Sequence, residues 1–193
     1  MVYAFLANGF EDIEALAPID ILRRAGIEVT TVSINEEPFV HSSHGVTVVA
    51  DTTIAEACDE SAKMLFEDAD MLFLPGGMPG ASNLGNNALV CRALKEQEAR
   101  KGWIAAICAA PYVLADLGIL EGKKATCYPG FESDFPEGAY TGNLVTLSEN
   151  VITGEGPAAA MELGYIMAFK LGKQAESTAL REGMRYNHLI TGK

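Results

Sequence analysis

Cys108 is the side chain of this sequence whose surroundings best suit nucleophilic chemistry. It lies in WIAAICAAPYVLADLG, where a short apolar run meets small residues and then a helical pattern. A sharp strand-to-helix turn exposes a nucleophile, and the N-terminus of the following helix supplies backbone N–H donors and a positive dipole. Both effects favour the thiolate, which is the reactive form of cysteine. A buried, inert thiol is the alternative that the pattern leaves open.

Two other features could complete a site around this cysteine. Gly76 and Gly77 follow the apolar run MLFLP, and a glycine pair lets the backbone approach closely and point N–H groups at a negatively charged oxygen. Glu14 lies in the first turn of a predicted helix, where a solvated acid would simply complement the helix dipole. If Glu14 instead faces the cleft, its protonated carboxyl can donate a hydrogen bond to the thiolate, whereas an ionised carboxylate repels it.

The histidines are placed poorly for hydrolase chemistry. A serine or cysteine hydrolase needs a histidine base, but Cys108 is followed by Ala109, and no histidine follows a predicted strand end. His44 is the histidine best able to reach a site, and it would do so from a neighbouring subunit. We expect His188 to be exposed to solvent.

The cysteines predict neither a metal site nor a disulfide framework. They form no CxxC pair and are not clustered with the histidines, whereas zinc needs such ligands at close spacing. The first residues, MVYAFLA, lack the basic region and cleavage site of an export signal, so we expect free thiols in a cytoplasmic protein. One of them is the candidate nucleophile and three are expected to be bystanders. The four are Cys58, Cys91, Cys108 and Cys127.

Alternating strands and helices predict the architecture that positions the candidate site. Apolar runs predict buried strands, and helical patterns follow them. Because parallel strands need crossover helices, this order predicts an α/β fold, with a mainly parallel sheet between helices. The predicted strands are 2–7, 71–77 and 103–107, and the predicted helices are 12–25, 88–101 and 110–117.

In such sheets, ligands bind beyond the carboxyl ends of the strands. The residues that follow predicted strand ends are therefore expected to meet at one edge of the sheet. They are Asn8 to Glu14, Gly76 to Pro79, Cys108 to Pro111, Tyr128 to Gly130 and Gly154 to Pro157.

The other segments add a small antiparallel excursion within residues 27–51, where β-branched residues alternate with polar ones. Residues 123–128 suggest another strand, and 143–154 suggest two short strands around Ser148 to Asn150. A helix is expected after Pro157. The length of 193 residues fits one domain, which we place at 1–183, with a C-terminal surface tail at 184–193.

Composition limits the partners that the chain can have. Lys and Arg number 14 against 26 Asp and Glu, and the resulting charge of −12 argues against nucleic acid and anionic membrane surfaces. No apolar run approaches the roughly 18 residues of a membrane helix. Small molecules and proteins remain as partners.

Three motifs in this order and spacing resemble the DJ-one/ThiJ/PfpI superfamily, and specifically its DJ-one-like branch of bacterial ThiJ type. They are LANGFEDIEALAPIDILRRAGI, FLPGGMPGASNL and AAICAAPYVLADLG, and the resemblance runs through about residues 2–172. It implies a flavodoxin-like three-layer α/β sandwich that forms a homodimer. The acid and cysteine of the family fall on Glu14 and Cys108. Its backbone oxyanion donors fall on Gly77 and Ala109, and we expect Gly76, Tyr128 and Pro157 to line the same site.

The resemblance implies a glyoxalase or deglycase activity on reactive dicarbonyls such as methylglyoxal, or on glycated substrates, without metal or cofactor. Cys108 would add to the aldehyde, Glu14 would shuttle a proton between carbon and oxygen, and water would release a hydroxy acid. The alternative is a redox-sensing or chaperone-like protein in which Cys108 is oxidised to a sulfinate without turnover. A binding protein with an inert Cys108 is a third interpretation. Protease-like members carry histidine directly after the cysteine, so Ala109 disfavours proteolysis.

Three positions depart from relatives in the charge of the expected pocket. Tyr128 stands where several relatives place a histidine, and Glu155 stands where relatives place an arginine before a Gly-Pro pair. His44 stands where relatives carry a basic residue in the excursion. We therefore expect the pocket to differ in charge from those of these relatives.

Overall fold

The computed structural model describes residues 1–58 and 65–192. Strands and helices alternate along most of these ranges. The strands are β1 (Val2–Leu6), β2 (Val29–Ser33), β3 (Phe39–His41), β4 (Thr47–Val49), β5 (Thr52–Thr53), β6 (Met71–Leu74), β7 (Trp103–Ile107), β8 (Val145–Ser148) and β9 (Val151–Gly154). The α-helices are α1 (Asp12–Arg24), α2 (Ile54–Ala57), α3 (Gly80–Asn86), α4 (Ala88–Ala99), α5 (Pro111–Asp116), α6 (Ala160–Lys170), α7 (Gln174–Gly183) and α8 (Tyr186–Thr191).

Seven strands form one sheet in the order β5-β2-β1-β6-β7-β9-β8. All neighbours pair in parallel except β8, which runs antiparallel to β9. A separate antiparallel hairpin of β3 and β4 forms the later part of the predicted excursion, whereas its first segment is β2, which pairs in parallel with β1. The predicted fold class, a flavodoxin-like α/β sandwich with a mainly parallel sheet, is confirmed.

The sheet is buried on both faces, which explains its continuous apolar strands. The residues of β6 (MLFL) are all buried, as expected for a central parallel strand. Leu84, Leu94 and Leu114, from α3, α4 and α5, pack in the core on one face. Leu22 of α1 and Leu163 of α6 pack in the core on the other face. The central strands therefore end between two helical layers, and their carboxyl ends position the candidate site.

The predicted strand at 123–128 is wrong. Among the described residues, this segment makes only an isolated β-bridge, between Ala125 and Tyr140. The backbone N–H of Thr126 donates instead to the hydroxyl of Thr153, so the segment is attached to β9 by a side chain rather than by a ladder. The two short strands predicted within 143–154 are confirmed as β8 and β9.

The segment predicted as a tail contains α8. Tyr186, at its start, is buried and its ring packs 5.0 Å from that of Tyr165. The domain limits of 1–183 and 184–193 stay a prediction. None of the helices in the described ranges is long and apolar enough to cross a membrane.

Candidate active site

Cys108 lies on a sharp turn between β7 and α5. Its φ of 63° falls in the left-handed region, which non-glycine residues seldom adopt. Two backbone hydrogen bonds hold it there, because its N–H donates to the carbonyl of Gly154 (2.9 Å) and its carbonyl accepts from the N–H of Tyr128 (2.8 Å). The side chain is partly exposed. The turn therefore presents the thiol to the space beyond the carboxyl ends of the strands.

Glu14 is fully buried in the first turn of α1. Its own N–H donates to the carboxylate of Glu11, which caps the helix (2.8 Å). Neither carboxyl oxygen of Glu14 has a hydrogen bond of ordinary geometry to any described residue. The alternative interpretation, in which Glu14 is solvated, is therefore wrong, because its carboxyl is buried.

The two side chains converge at Gly76. A Cβ at this position would lie 2.4 Å from Oε2 of Glu14 and 2.6 Å from Cβ of Cys108. Both atoms thus lie beside the same point in space, and only a residue without a side chain leaves room for them. The glycine permits a direct interaction between the carboxyl and the thiol.

Burial governs the ionisation of this pair. Burial is the largest cause that raises the pKa of Glu14 from 4.5 to about 7. Interactions with Cys108 and Gly76 lower this pKa, and the nearby charge of Glu11 raises it. Burial, followed by repulsion from an ionised Glu14, raises the pKa of the Cys108 thiol to about 12. The thiol pKa is thus raised beside an ionised carboxylate, contrary to the lowered value that the helix N-terminus alone predicts.

The two pKa values describe a pair that holds one proton over a wide pH range. The first proton leaves near pH 7 and the second leaves near pH 12, so between these values Glu14 and Cys108 carry one negative charge together. When the proton is on Glu14, the repulsion that raises the thiol pKa is absent, and the carboxyl can donate a hydrogen bond to the thiolate.

Backbone donors stabilise the negative charge when it is on sulfur. The backbone N–H groups of Gly77 and Ala109 stabilise the Cys108 thiolate and lower its pKa. Gly77 has a φ of 86°, and a Cβ there would lie 2.4 Å from the backbone nitrogen of Glu11. Gly77 must therefore be glycine for its N–H to reach this position.

Tyr128 and Pro157 line a groove next to the thiol turn, and the groove has a volume of about 260 Å³. Tyr128 is exposed, and its backbone N–H binds the carbonyl of Cys108. The structure thus brings five predicted residues together around the thiol and places two more in the adjoining groove. The five are Glu14, Gly76, Gly77, Cys108 and Ala109.

His44 is exposed in the turn of the β3–β4 hairpin, where it lies beside the start of α1. Its Nδ1 lies 3.1 Å from Oδ2 of Asp12 and 3.9 Å from Oε1 of Glu11. One ligand atom of each lies within 4.8 Å of the others, so these three residues are the described group that could hold a metal ion. The proposed contribution of His44 to the site of a partner subunit stays a prediction.

Sequence reasoning included Glu11 in the range Asn8 to Glu14 expected at the site but assigned it no role. Glu11 caps α1, donates its backbone N–H to the carbonyl of Gly76 (3.0 Å) and raises the pKa of Glu14 through its charge. A capping acid three residues before Glu14 was the available signal, because a side chain at this position accepts the N–H of the first turn.

Comparison with known proteins gives consistent matches over nearly the whole chain. The model of the DJ-1/PfpI family matches residues 1–168. Protein dj-1beta of Drosophila melanogaster is 34% identical over 181 residues, which cover 93% of each chain. A glutathione-independent glyoxalase DJ-1 of Schizosaccharomyces pombe is 33% identical over 190 residues, covering 95% of this chain and 97% of that protein.

Solved structures agree with these matches. The structure of oxidized Toxoplasma gondii DJ-1 superposes with a TM-score of 0.87 at 35% identity, covering 95% of this chain and 96% of that one. The assignment to a bacterial ThiJ-type branch stays a prediction. By sequence and by fold, the chain belongs to the DJ-1/PfpI family.

Proposed function

We propose that this protein is a cofactor-free, cysteine-dependent glyoxalase/deglycase-type enzyme that acts on α-oxoaldehydes such as methylglyoxal. The observation that carries the proposal is the convergence of Cys108 and Glu14 at Gly76, where the pair holds one proton above about pH 7. A relative of similar length that is named a glutathione-independent glyoxalase supports the same reaction class.

The reaction begins with addition of the Cys108 thiolate to the aldehyde carbon. The carbonyl π electrons move to oxygen and form an alkoxide, which takes the proton held by Glu14 to give a hemithioacetal and leaves Glu14 as a carboxylate. Backbone N–H groups of Gly77 and Ala109 lie where they can stabilise negative charge at the thiol turn.

Glu14 then moves a proton within the adduct. Its carboxylate removes the proton from the former aldehyde carbon, and its carboxyl returns a proton to the neighbouring carbon after an enediol intermediate. The product is a thioester of a hydroxy acid. Water cleaves the thioester, so methylglyoxal and one water give lactate and the thiol is restored.

Lactate formation from methylglyoxal tests this function. We expect Cys108→Ser to lower kcat/KM by at least about 10³-fold, because the alcohol is not ionised at neutral pH. Cys91→Ser is the matched control, since Cys91 is another partly buried thiol, bound to the carbonyl of Gly85. Equal turnover by the wild type and Cys108→Ser would remove the proposed function.

Redox sensing at the same thiol is the second candidate. The partly exposed Cys108 lies beside a carboxyl and two backbone donors, which can hold the oxygens of a sulfinate. Each oxygen comes from one peroxide, which is reduced to water as the sulfur is oxidised. Mass spectrometry after mild peroxide treatment should then find a two-oxygen adduct at Cys108 before any other cysteine, in a protein without turnover.

We also propose that the chain acts as a homodimer in the cytoplasm, with residues 1–183 as its folded domain. Support for the dimer comes from exposed apolar side chains of α1 and of the hairpin. Ile13, Phe39 and Val49 are each more than half exposed, and exposed apolar surface is typical of an interface when it is contiguous, as it is for the pair Phe39 and Val49.

A further inference from the structure

A groove beside the candidate nucleophile has a chemically distinctive lining. Its walls are mostly apolar, it contains one carboxylate, and no lysine or arginine lines it in the described part of the chain. Ligand sites of this kind use a few polar groups to select and orient the ligand. The lining residues are Tyr128, Pro129, Leu144, Glu155, Gly156, Pro157, Ala158 and Ala159.

The groove adjoins Cys108 through the backbone. The N–H of Cys108 binds the carbonyl of Gly154, the residue before Glu155, and the carbonyl of Cys108 binds the N–H of Tyr128. Both walls of the groove are therefore attached to the residue that carries the thiol. Cys108 itself does not line the groove, so a substrate bonded to the sulfur has to extend past the turn to reach it.

Glu155 is held in place but its charge is uncompensated. Its backbone N–H donates to the carbonyl of Leu144 (2.9 Å). Its half-buried side chain has no hydrogen bond or ion pair with any residue that the structure describes. A carboxylate on an apolar wall without a cation nearby attracts positive charge.

Tyr128 adds a second group that favours a cation. A Cβ on Gly156 would lie 3.2 Å from the Tyr128 ring, so this glycine lets the ring pack against the chain beside Glu155. Tyr128 as a whole residue is 48% exposed. The face of an aromatic ring attracts ammonium and guanidinium groups.

We propose that Glu155 and Tyr128 form a cation-binding subsite that selects α-oxoaldehyde substrates carrying an ammonium or guanidinium group. The inference rests on the proposed function, because it names the substrate class of the same site. The overall charge of −12 acts in the same direction, since it draws cations toward the protein.

Three α-oxoaldehydes of similar shape test the subsite during turnover. Phenylglyoxal is neutral, 4-(trimethylammonio)phenylglyoxal is cationic and 4-carboxyphenylglyoxal is anionic. We expect the wild type to have its highest kcat/KM with the cationic compound and its lowest with the anionic one. In Glu155→Gln, the ratio of kcat/KM for the cationic over the anionic compound should fall about five- to tenfold.

The matched control is Glu28→Gln, which removes one charge at the opposite edge of the sheet, directly before β2. Its ratio should stay within about twofold of the wild type. The subsite is overturned if Glu155→Gln leaves the cationic-to-anionic ratio of kcat/KM unchanged. It is also overturned if Glu28→Gln lowers this ratio by the same factor.

A second experiment does not depend on turnover. Methanethiosulfonates that carry a trimethylammonium or a sulfonate group react with Cys108, and peptide mass spectrometry follows their rates at this thiol alone. Glu155→Gln should lower the cationic-to-anionic rate ratio about five- to tenfold, and Glu28→Gln should not. If Glu155→Gln lowers this rate ratio but the wild type does not turn over α-oxoaldehydes, the subsite is retained and the proposed function is rejected. An unchanged ratio in an active enzyme would reject the subsite alone.

Discussion

At the scale of single residues, Glu14 destabilises the folded chain when it is ionised. Burial raises its pKa from 4.5 to about 7. A group whose folded pKa is raised contributes stability that is complete below the unfolded pKa and is lost as pH rises through the folded pKa. The loss develops between about pH 4.5 and pH 7 and amounts to about 3 kcal/mol.

Glu14→Gln should remove this dependence, because the amide is neutral at every pH. Relative to the wild type, the free energy of unfolding of the variant should rise by about 3 kcal/mol between pH 4 and pH 8. Urea unfolding across this range measures the difference. Glu28→Gln controls for the loss of one carboxylate, since Glu28 is exposed. A Glu14→Gln difference that stays constant with pH would show that the carboxyl is not buried as described.

The sequence predicts the setting of Cys108 better than that of Glu14. Small residues around Cys108 permit a sharp turn, and this local property is visible in ICAAP. The burial of Glu14 depends on packing between α1 and the ends of other strands, which no local pattern encodes. For this reason the sequence left a solvated carboxyl and a buried one as alternatives, and it did not predict a raised thiol pKa.

At the scale of elements, the site depends on how closely three strand ends approach. The segment after β6 passes between the start of α1 and the end of β7. A Cβ on Gly76 would lie 2.6 Å from the carbonyl oxygen of Ile107, the last residue of β7. No side chain fits at this crossing without displacing backbone.

Gly76→Ala should therefore separate these elements. We expect a loss of about 1–3 kcal/mol in the free energy of unfolding, which is typical of overpacking, together with a large loss of turnover as Glu14 moves from Cys108. Gly183→Ala is the matched control, because nothing lies within 4 Å of a Cβ there. Denaturant unfolding and lactate formation give both readouts. Normal turnover in Gly76→Ala would contradict the close approach at this glycine.

Elements were predictable where burial alone determines them. The strands β6 and β7 are apolar throughout, so their sequences predict them directly. Residues 123–128 (KKATCY) contain Thr126 and Tyr128, which suit a strand, but among the described residues they have only an isolated bridge, and pairing is a property of the sheet rather than of the segment. The glycine-rich α3 was missed because its sequence, GASNLGN, has low helix propensity.

At the scale of the whole molecule, the hairpin exposes an apolar face. Phe39 and Val49 are paired positions of β3 and β4, so their side chains share one face of the hairpin. Val40 points to the opposite face and is buried against Leu6 and Phe10. The outer face thus has apolar side chains that the single chain does not cover.

We expect sedimentation equilibrium to give about twice the chain mass of 20.6 kDa. Val49→Asp should shift the protein toward the monomer, because a charge at an apolar interface loses its hydration. Leu189→Asp is the control at another exposed apolar position, on α8, and should leave the mass unchanged. A wild-type protein that sediments as a monomer at micromolar concentration would refute the dimer.

The account as a whole depends on one proton shared by Glu14 and Cys108. Alkylation of Cys108 by neutral iodoacetamide, followed by peptide mass spectrometry from pH 5 to pH 9, measures how much thiolate the pair holds. The wild-type rate should rise with pH and level off above about pH 7, where the pair has lost its first proton. In Glu14→Gln, burial still raises the thiol pKa, so the rate should climb about tenfold per pH unit through this range without a plateau. The same profile in both proteins would contradict the shared proton and, with it, the reactive centre.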